Sequence, residues 1–338
     1  MVKKLMENKS IYVPKDEWLD PLKNCHIVDI VIIDNEKISI LLRESIPVDS
    51  EDVWDHEIPS YIYSIYLDDN DVKTGYRRLE GFDFPKIGVS RKPVKQVLLS
   101  NKNWAGQIFS GGGGEPGMEE VNPGGKTSTD IVSIQRLVCI DGWTYALSLF
   151  RKVFKRTAVG EWTPLKEGME LNNIKGDTLH AGFADMDGTD ENNLYAVGGR
   201  GDVWRYDGKR WHQCDFPANH ELSTVTVAPD GQVYISGISG LWVGKEDSWQ
   251  LVCKGSFMVS YNDSVWFNGQ LWLSADYHLH IWDGEKLQRP LAKDGSRILH
   301  SGHMDAHDGI LAVAGPSTVH AYDGDEWYTL IAPYGDSE

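Results

Sequence analysis

Short apolar runs bounded by Asp-Gly or Asn-Gly recur through the C-terminal half of this chain. Residues 192–215 read NNLYAVGGRGDVWRYDGKRWHQCD, and 230–253 read DGQVYISGISGLWVGKEDSWQLVC. The same pattern returns at 268–291, NGQLWLSADYHLHIWDGEKLQRPL, and at 308–330, DGILAVAGPSTVHAYDGDEWYTL, with an earlier copy over 141–165. The leading turn residue falls at Gly142, Asn193, Gly231, Gly269 and Gly309, in steps of 51, 38, 38 and 40. The closing aromatic falls at Trp162, Trp211, Trp249 and Trp327, with Leu287 standing in once. Two markers moving in step define a repeat.

Each copy predicts strands joined by tight turns. Asp-Gly and Asn-Gly supply the positive φ angles of a two-residue hairpin, and Leu194–Val197 and Val233–Ile235 are the short runs between them. A second Asp-Gly, at Asp207-Gly208 and Asp323-Gly324, leads into a last strand carrying the tryptophan. With an upstream strand such as Leu222–Val227 or Phe257–Tyr261, each unit has four antiparallel strands in about 40 residues, which is a β-propeller blade. The expected fold is all-β, a single propeller domain over 1–338. Counting blades from near 27, 94, 131, 179, 222, 257 and 298 gives seven, with six or eight left open. Ile27–Ile33, Lys37–Leu42, Tyr61–Leu67 and Thr74–Leu79 form the first blade, and Val94–Leu99 with Trp104–Phe109 the inner pair of the second. Extra residues around 166–180 account for the 51-residue step. Residues 10–22 read as an isolated outer hairpin that closes the ring or caps an incomplete blade. The tryptophans are expected to pack between blades rather than bind a ligand.

The phrase YAVGGRGDVWRYDGKRW resembles a bacterial propeller repeat of aromatic-Ala-Val-Gly, Gly-x-(Ile/Val) and Tyr-Asp-Gly-x-x-Trp, and is also similar to kelch repeats. The likeness runs clearly over 130–338. It lacks the recurrent Gly-His and Trp-Asp of WD repeats and a complete Asp-box. Such a resemblance implies a fold and leaves chemistry open.

Composition adds a charge question. The 338 residues carry 33 Lys+Arg against 50 Asp+Glu, a formal charge of −17 that the repeats do not account for. Phosphate backbones would be repelled, so nucleic acid is not expected as a partner. No apolar run approaches a membrane span, no signal-peptide h-region follows MVKKLMENKS, and four scattered cysteines make no disulfide framework. A cytoplasmic monomer that contacts no membrane and needs no cofactor or metal is expected.

Candidate sites are few. Gly125-Lys126-Thr127 ends like a P-loop, but Glu120 stands where its first Gly must be. That leaves 110–130 as an inserted flexible loop, with Glu115, Met118, Glu119 and Glu120 as candidate partner contacts. His303, Asp305 and His307 alternate on a predicted strand, as zinc ligands could. Yet Leu299-His300-x-Gly-x-x-Asp305 repeats Leu179-His180-x-Gly-x-x-Asp185, so His300 and Asp305 read as structural. Asp29, Asp185, His300, His303, Asp305 and His307 are the candidate channel residues. Arg151, Lys152, Lys155 and Arg156 read as a charged strand on the solvent side.

Two functions remain. The first is a non-catalytic binding propeller whose negative charge attracts a basic protein, in concrete form a bacterial immunity protein neutralising a basic toxin such as a nuclease. The alternative is a propeller enzyme acting on a carbohydrate or small metabolite in the central channel. That alternative requires paired channel carboxylates, one with a raised pKa.

Overall fold

In the computed structural model, described for residues 13, 23–46, 53–67, 72–103, 105–122, 131–169, 182–254 and 260–332, twenty-eight strands form seven four-stranded antiparallel sheets. Every sheet pairs its strands in chain order. The first strands are β1 (Cys25–Asp34), β5 (Lys86–Ser90), β9 (Ile134–Ile140), β13 (Phe183–Asp190), β17 (Leu222–Val227), β21 (Asp263–Phe267) and β25 (His303–His307). They ring a central channel, and the protein is a seven-bladed β-propeller. The seventh blade meets the first directly: the Ile27 amide donates to the Pro316 carbonyl at 2.8 Å, and the Ile32 amide to Asp305 Oδ2 at 2.7 Å.

The turns follow the residues that make them. Asp141-Gly142, Asn268-Gly269 and Asp308-Gly309 have positive φ at both positions, the type I′ geometry that matches strand twist. Blades then press face to face. A Cβ on Gly88 of β5 would lie 2.5 Å from Leu137 Cβ on β9, so glycine is required for that approach. Tryptophans fill the outer gaps. Trp211 is fully buried against Phe183 and Tyr206, and Trp272 of blade six packs against the stacked Tyr322–Trp327 pair of blade seven.

The first blade matches the sequence reading, with β2 (Lys37–Glu44), β3 (Ser60–Leu67) and β4 (Val72–Leu79) beside β1. The second needs correction. Its innermost strand is β5, and 94–99 belongs to the second strand, β6 (Gln96–Ser100), followed by β7 (Gln107–Gly111). The anticipated 110–130 loop begins as a hairpin, because Gly117–Glu120 is β8, the blade's outermost strand; 123–130 lies outside the described residues. Blade six opens at Asp263 rather than near 257, and 255–259 is not described. Of 10–22, only Val13 is described. It is buried, and its amide donates to the Leu330 carbonyl at 3.0 Å, beside the last strand, β28 (Trp327–Ile331). Of the loop expected at 166–180, residues 170–180 fall outside the description.

Within each blade, the hairpins joining strands one to two and three to four lie at one end. The connection from strand two to three and the link to the next blade lie at the other. These ends form a hairpin face and a linker face.

Candidate functional site

Strand register brings charged side chains from distant parts of the chain to one level of the channel. Asp29 sits opposite Leu41, Arg136 opposite Leu147, Asp185 opposite Val197, Asp263 opposite Ser274 and His303 opposite Ala314. They line a channel cavity of about 530 Å³, near its linker-face end, together with Lys86.

Arg136 is the hub. Its guanidinium pairs with Asp185 at 3.0 Å and with Asp263. Asp263 Oδ2 also accepts from His303 Nδ1 at 2.9 Å and from the Met304 amide at 3.1 Å, while His303 lies 3.7 Å from Asp29. Burial alone would lower the His303 pKa, but Asp29 and Asp263 hold it up at about 9, so the ring is a cation at neutral pH. Burial works against the Asp263 carboxylate too, and Arg136 with His303 nevertheless draws its pKa below the usual carboxylate range. Three carboxylates (Asp29, Asp185, Asp263) thus face three cations (Lys86, Arg136, His303).

Carboxylates along the channel also join blades. Asp185 Oδ2 accepts from the Val225 amide at 2.9 Å, and Asp187 Oδ2 from the Val227 amide at 2.7 Å. Asp263 to Met304 and Asp305 to Ile32 repeat the device between blades six and seven and between seven and one. The Leu-His-x-Gly-x-x-Asp repetition therefore has a physical basis in Asp185 and Asp305. Burial raises the Asp185 carboxyl to about 6 and that of Asp187 to about 7. Asp29, Asp263 and His303 have ligand atoms close enough together to surround a cation, and both oxygens of Asp263 already accept hydrogen bonds, from Arg136 on one and from His303 and the Met304 amide on the other.

Several expected site residues stand elsewhere. His300 is not a channel residue. It stacks on His320 with ring centroids 3.5 Å apart and meets Trp327 edge-on, at the outer side of blade seven. Burial lowers the His300 pKa to about 4, and burial together with His300 lowers that of His320 to about 3. His307 lines the channel toward the hairpin face, 3.3 Å from Asp308.

Glu119 is not a surface contact. It is buried between blades two and three, paired with a fully buried Arg156 whose Nε is 3.0 Å from Oε2; Trp162 Nε1 donates to the same oxygen at 3.0 Å. Arg156 therefore lies inside, not on a solvent-side strand, and Arg151 is tied to Asp202. Glu115, Met118 and Glu120 are exposed. Sequence reading missed Arg136, Lys86 and Asp263, which come from three separate blades and share a level only through register.

No family model matches the chain. The immune protein Tsi7 of Pseudomonas aeruginosa is 29% identical over 240 residues, spanning 71% of this chain and 77% of that protein. Among solved structures, the WD40 propeller domain of Doa1 superposes with a TM-score of 0.57 at 12% identity, covering 87% of this chain and 90% of that one. YCF48 bound to a D1 peptide gives 0.58 at 11% identity, covering 93% and 94%. Virginiamycin B lyase from Staphylococcus aureus gives 0.53 at 11%, covering 75% and 84%. These structural likenesses establish the propeller fold and nothing of its chemistry. Among the described residues, no helix is long and apolar enough to cross a membrane.

Proposed function

We propose that this propeller, built from the kelch-like bacterial repeat, is a non-catalytic immunity protein that binds and neutralises a basic protein toxin in the cytoplasm, acting as a monomer. The carrying observation is the similarity to an immune protein over most of both chains, on a fold whose channel carboxylates are engaged in holding blades together. A charge of −17 favours encounter with a basic partner, an effect that salt weakens. Exposed Glu115, Met118 and Glu120 remain candidate contacts.

The enzyme alternative draws on Asp185 and Asp187, whose raised pKa values suit acid–base work. Each, however, already accepts an amide of the next blade, so proton transfer at either would weaken the ring closure it provides. Co-expression with a basic toxin encoded by an adjacent gene tests the binding reading. Restored growth and a complex that loosens at high salt are expected. Continued killing with no complex would overturn it.

A further inference from the structure

The charged level of the channel contains groups that the fold uses and groups that it does not. Arg136 is bound through all three guanidinium nitrogens, to Asp185, to Asp263 and to the Asn262 carbonyl. Both oxygens of Asp185 and of Asp263 are taken, by Arg136, by His303 and by amides of the next blade. Three neighbours keep unused groups. Asp29 Oδ1 accepts the Ile30 amide at 2.8 Å, and Oδ2 has no hydrogen-bond partner among the described residues. The Lys86 ammonium makes neither a hydrogen bond nor an ion pair with those residues, although its charge acts on both Asp29 and His303. His303 donates from Nδ1 to Asp263; as a cation it also holds a proton on Nε2, for which the described residues supply no acceptor.

Asp29 also stands apart from the other channel carboxylates. Asp185, Asp187, Asp263 and Asp305 each accept an amide of the next blade, whereas Asp29 accepts only the amide that follows it in its own strand. Blades one and two are joined instead by Arg91, which donates to the Ile32 and Ile33 carbonyls. Ring closure therefore accounts for four channel carboxylates and leaves Asp29 unexplained.

These unused groups border the channel cavity of about 530 Å³, a volume typical of small-molecule sites. Side chains alternate along a strand, so the residues two positions on form the next level toward the hairpin face. There Val138 follows Arg136 and Val265 follows Asp263, and both line the cavity. An apolar wall thus adjoins the charged level.

The mixture of unused groups narrows the ligand chemistry. A simple carboxylate would meet Asp29, and a simple amine would meet Lys86 and His303. A divalent cation would have to displace the His303 proton from Asp263 beside both Lys86 and Arg136. A molecule carrying an anion and a cation satisfies all three residues at once. His303 Nδ1 lies 3.7 Å from Asp29, so the two charges of that molecule must be close together, as on the single carbon between them in an α-amino acid.

We propose that the linker-face end of the channel binds a free α-amino acid with an apolar side chain, its carboxylate on Lys86 and His303 and its ammonium on Asp29. The side chain packs toward Val138 and Val265. This site is separate from the proposed toxin contact and holds whether or not the protein neutralises a toxin.

Titration calorimetry of the full chain with L-valine at neutral pH tests it, and saturable binding with Kd below about 1 mM is expected. Isovalerate lacks the ammonium, isobutylamine lacks the carboxylate and glycine lacks the side chain. Each should bind at least about tenfold more weakly. Asp29→Asn and Lys86→Met should each weaken valine binding by at least about the same factor, the loss of one charge-assisted hydrogen bond. Glu115→Gln, at an exposed position of blade two, should leave binding unchanged. Melting curves check that the variants are folded, and the analogue series uses the unaltered protein, so it decides the matter even where a variant is not. Absence of saturable valine binding overturns the proposal. So does an analogue with one charge that binds as tightly as valine, or an unchanged affinity in folded Asp29→Asn and Lys86→Met.

Discussion

Replacing Glu119 by Gln tests whether this residue holds blades together or meets a partner. The substitution keeps shape and one carbonyl oxygen for Arg156 or Trp162, but leaves the Arg156 charge without its counterion. That guanidinium is fully buried; Gln96 Oε1 accepts from Nη2 at 2.6 Å, and Nη1 has no hydrogen-bond partner. Orphaning one member of such a pair costs about 3–5 kcal/mol. With an unfolding entropy of about 2.1 cal/mol/K per residue, a loss of about 4 kcal/mol lowers Tm by about 6 °C in a chain this long. Adding Arg156→Met removes the orphaned charge and should recover most of the loss, since apolar replacement of a buried pair is often near neutral. Glu120→Gln, on the exposed side of the same strand, should stay within about 0.5 kcal/mol. Calorimetry and urea unfolding measure all three. A Glu119→Gln protein within about 1 kcal/mol of the wild type, or a double variant less stable than the single, would refute the buried-pair reasoning.

Stability should also vary with pH in two opposite ways. The His303 pKa is about 9 in the folded protein against about 6.5 unfolded, so its contribution is complete below pH 6.5 and disappears as pH rises through 9. That contribution is at most about 3 kcal/mol, less screening by channel water; His303→Asn should flatten the alkaline limb of a urea-midpoint series, and parallel limbs would contradict this. His300 and His320 behave in the reverse sense, with folded values of about 4 and about 3 below the unfolded one. Stability is therefore lost as pH falls from 6.5 toward these values, and His320→Phe, which keeps a ring in the stack, should reduce the acid sensitivity seen in thermal melts. Finally, Trp211→Ala should cost about 3–5 kcal/mol, whereas Trp54→Ala, at a ring that is 70% exposed, should leave stability within about 0.5 kcal/mol. Equal losses in denaturant titrations would remove the distinction between packing and presented tryptophans.

The blades were legible where local chemistry repeats. Asp-Gly turns need positive φ, outer strands need a large aromatic, and both demands leave marks at fixed spacing. Blade two lacks those marks: Arg91 to Lys95 replaces the Asp-Gly turn, and its outer strand GMEE has no tryptophan. Its innermost strand, KIGVS, is short and carries the glycine that lets blade three approach, so the more apolar run Val94–Leu99 reads as the start of the unit. Site residues were legible only as repeats. Asp185 and Asp305 stand in matching phrases, but Arg136 and Lys86 meet the acidic side chains through ring closure, which no local window contains. Glu119 misled because its partner, Arg156, is 37 positions away on the next blade.

The net charge of −17 also divides once the faces are known. On the hairpin face, much of it serves the turns themselves. Asp207 Oδ1 accepts the amides of Lys209 and Arg210, Asp283 Oδ1 those of Glu285 and Lys286, and Asp323 Oδ1 those of Asp325 and Glu326. Those carboxylates would be there whatever the protein bound, so the repeats explain more of the charge than composition alone suggested. At the linker face the same use recurs. Asp55 accepts the Phe84 amide and pairs with Arg43, Glu57 accepts the Trp54 amide, and Glu80 pairs with Arg78. Carboxylates on both faces therefore serve the backbone, and any steering of a basic partner comes from the net charge as a whole rather than from one corner.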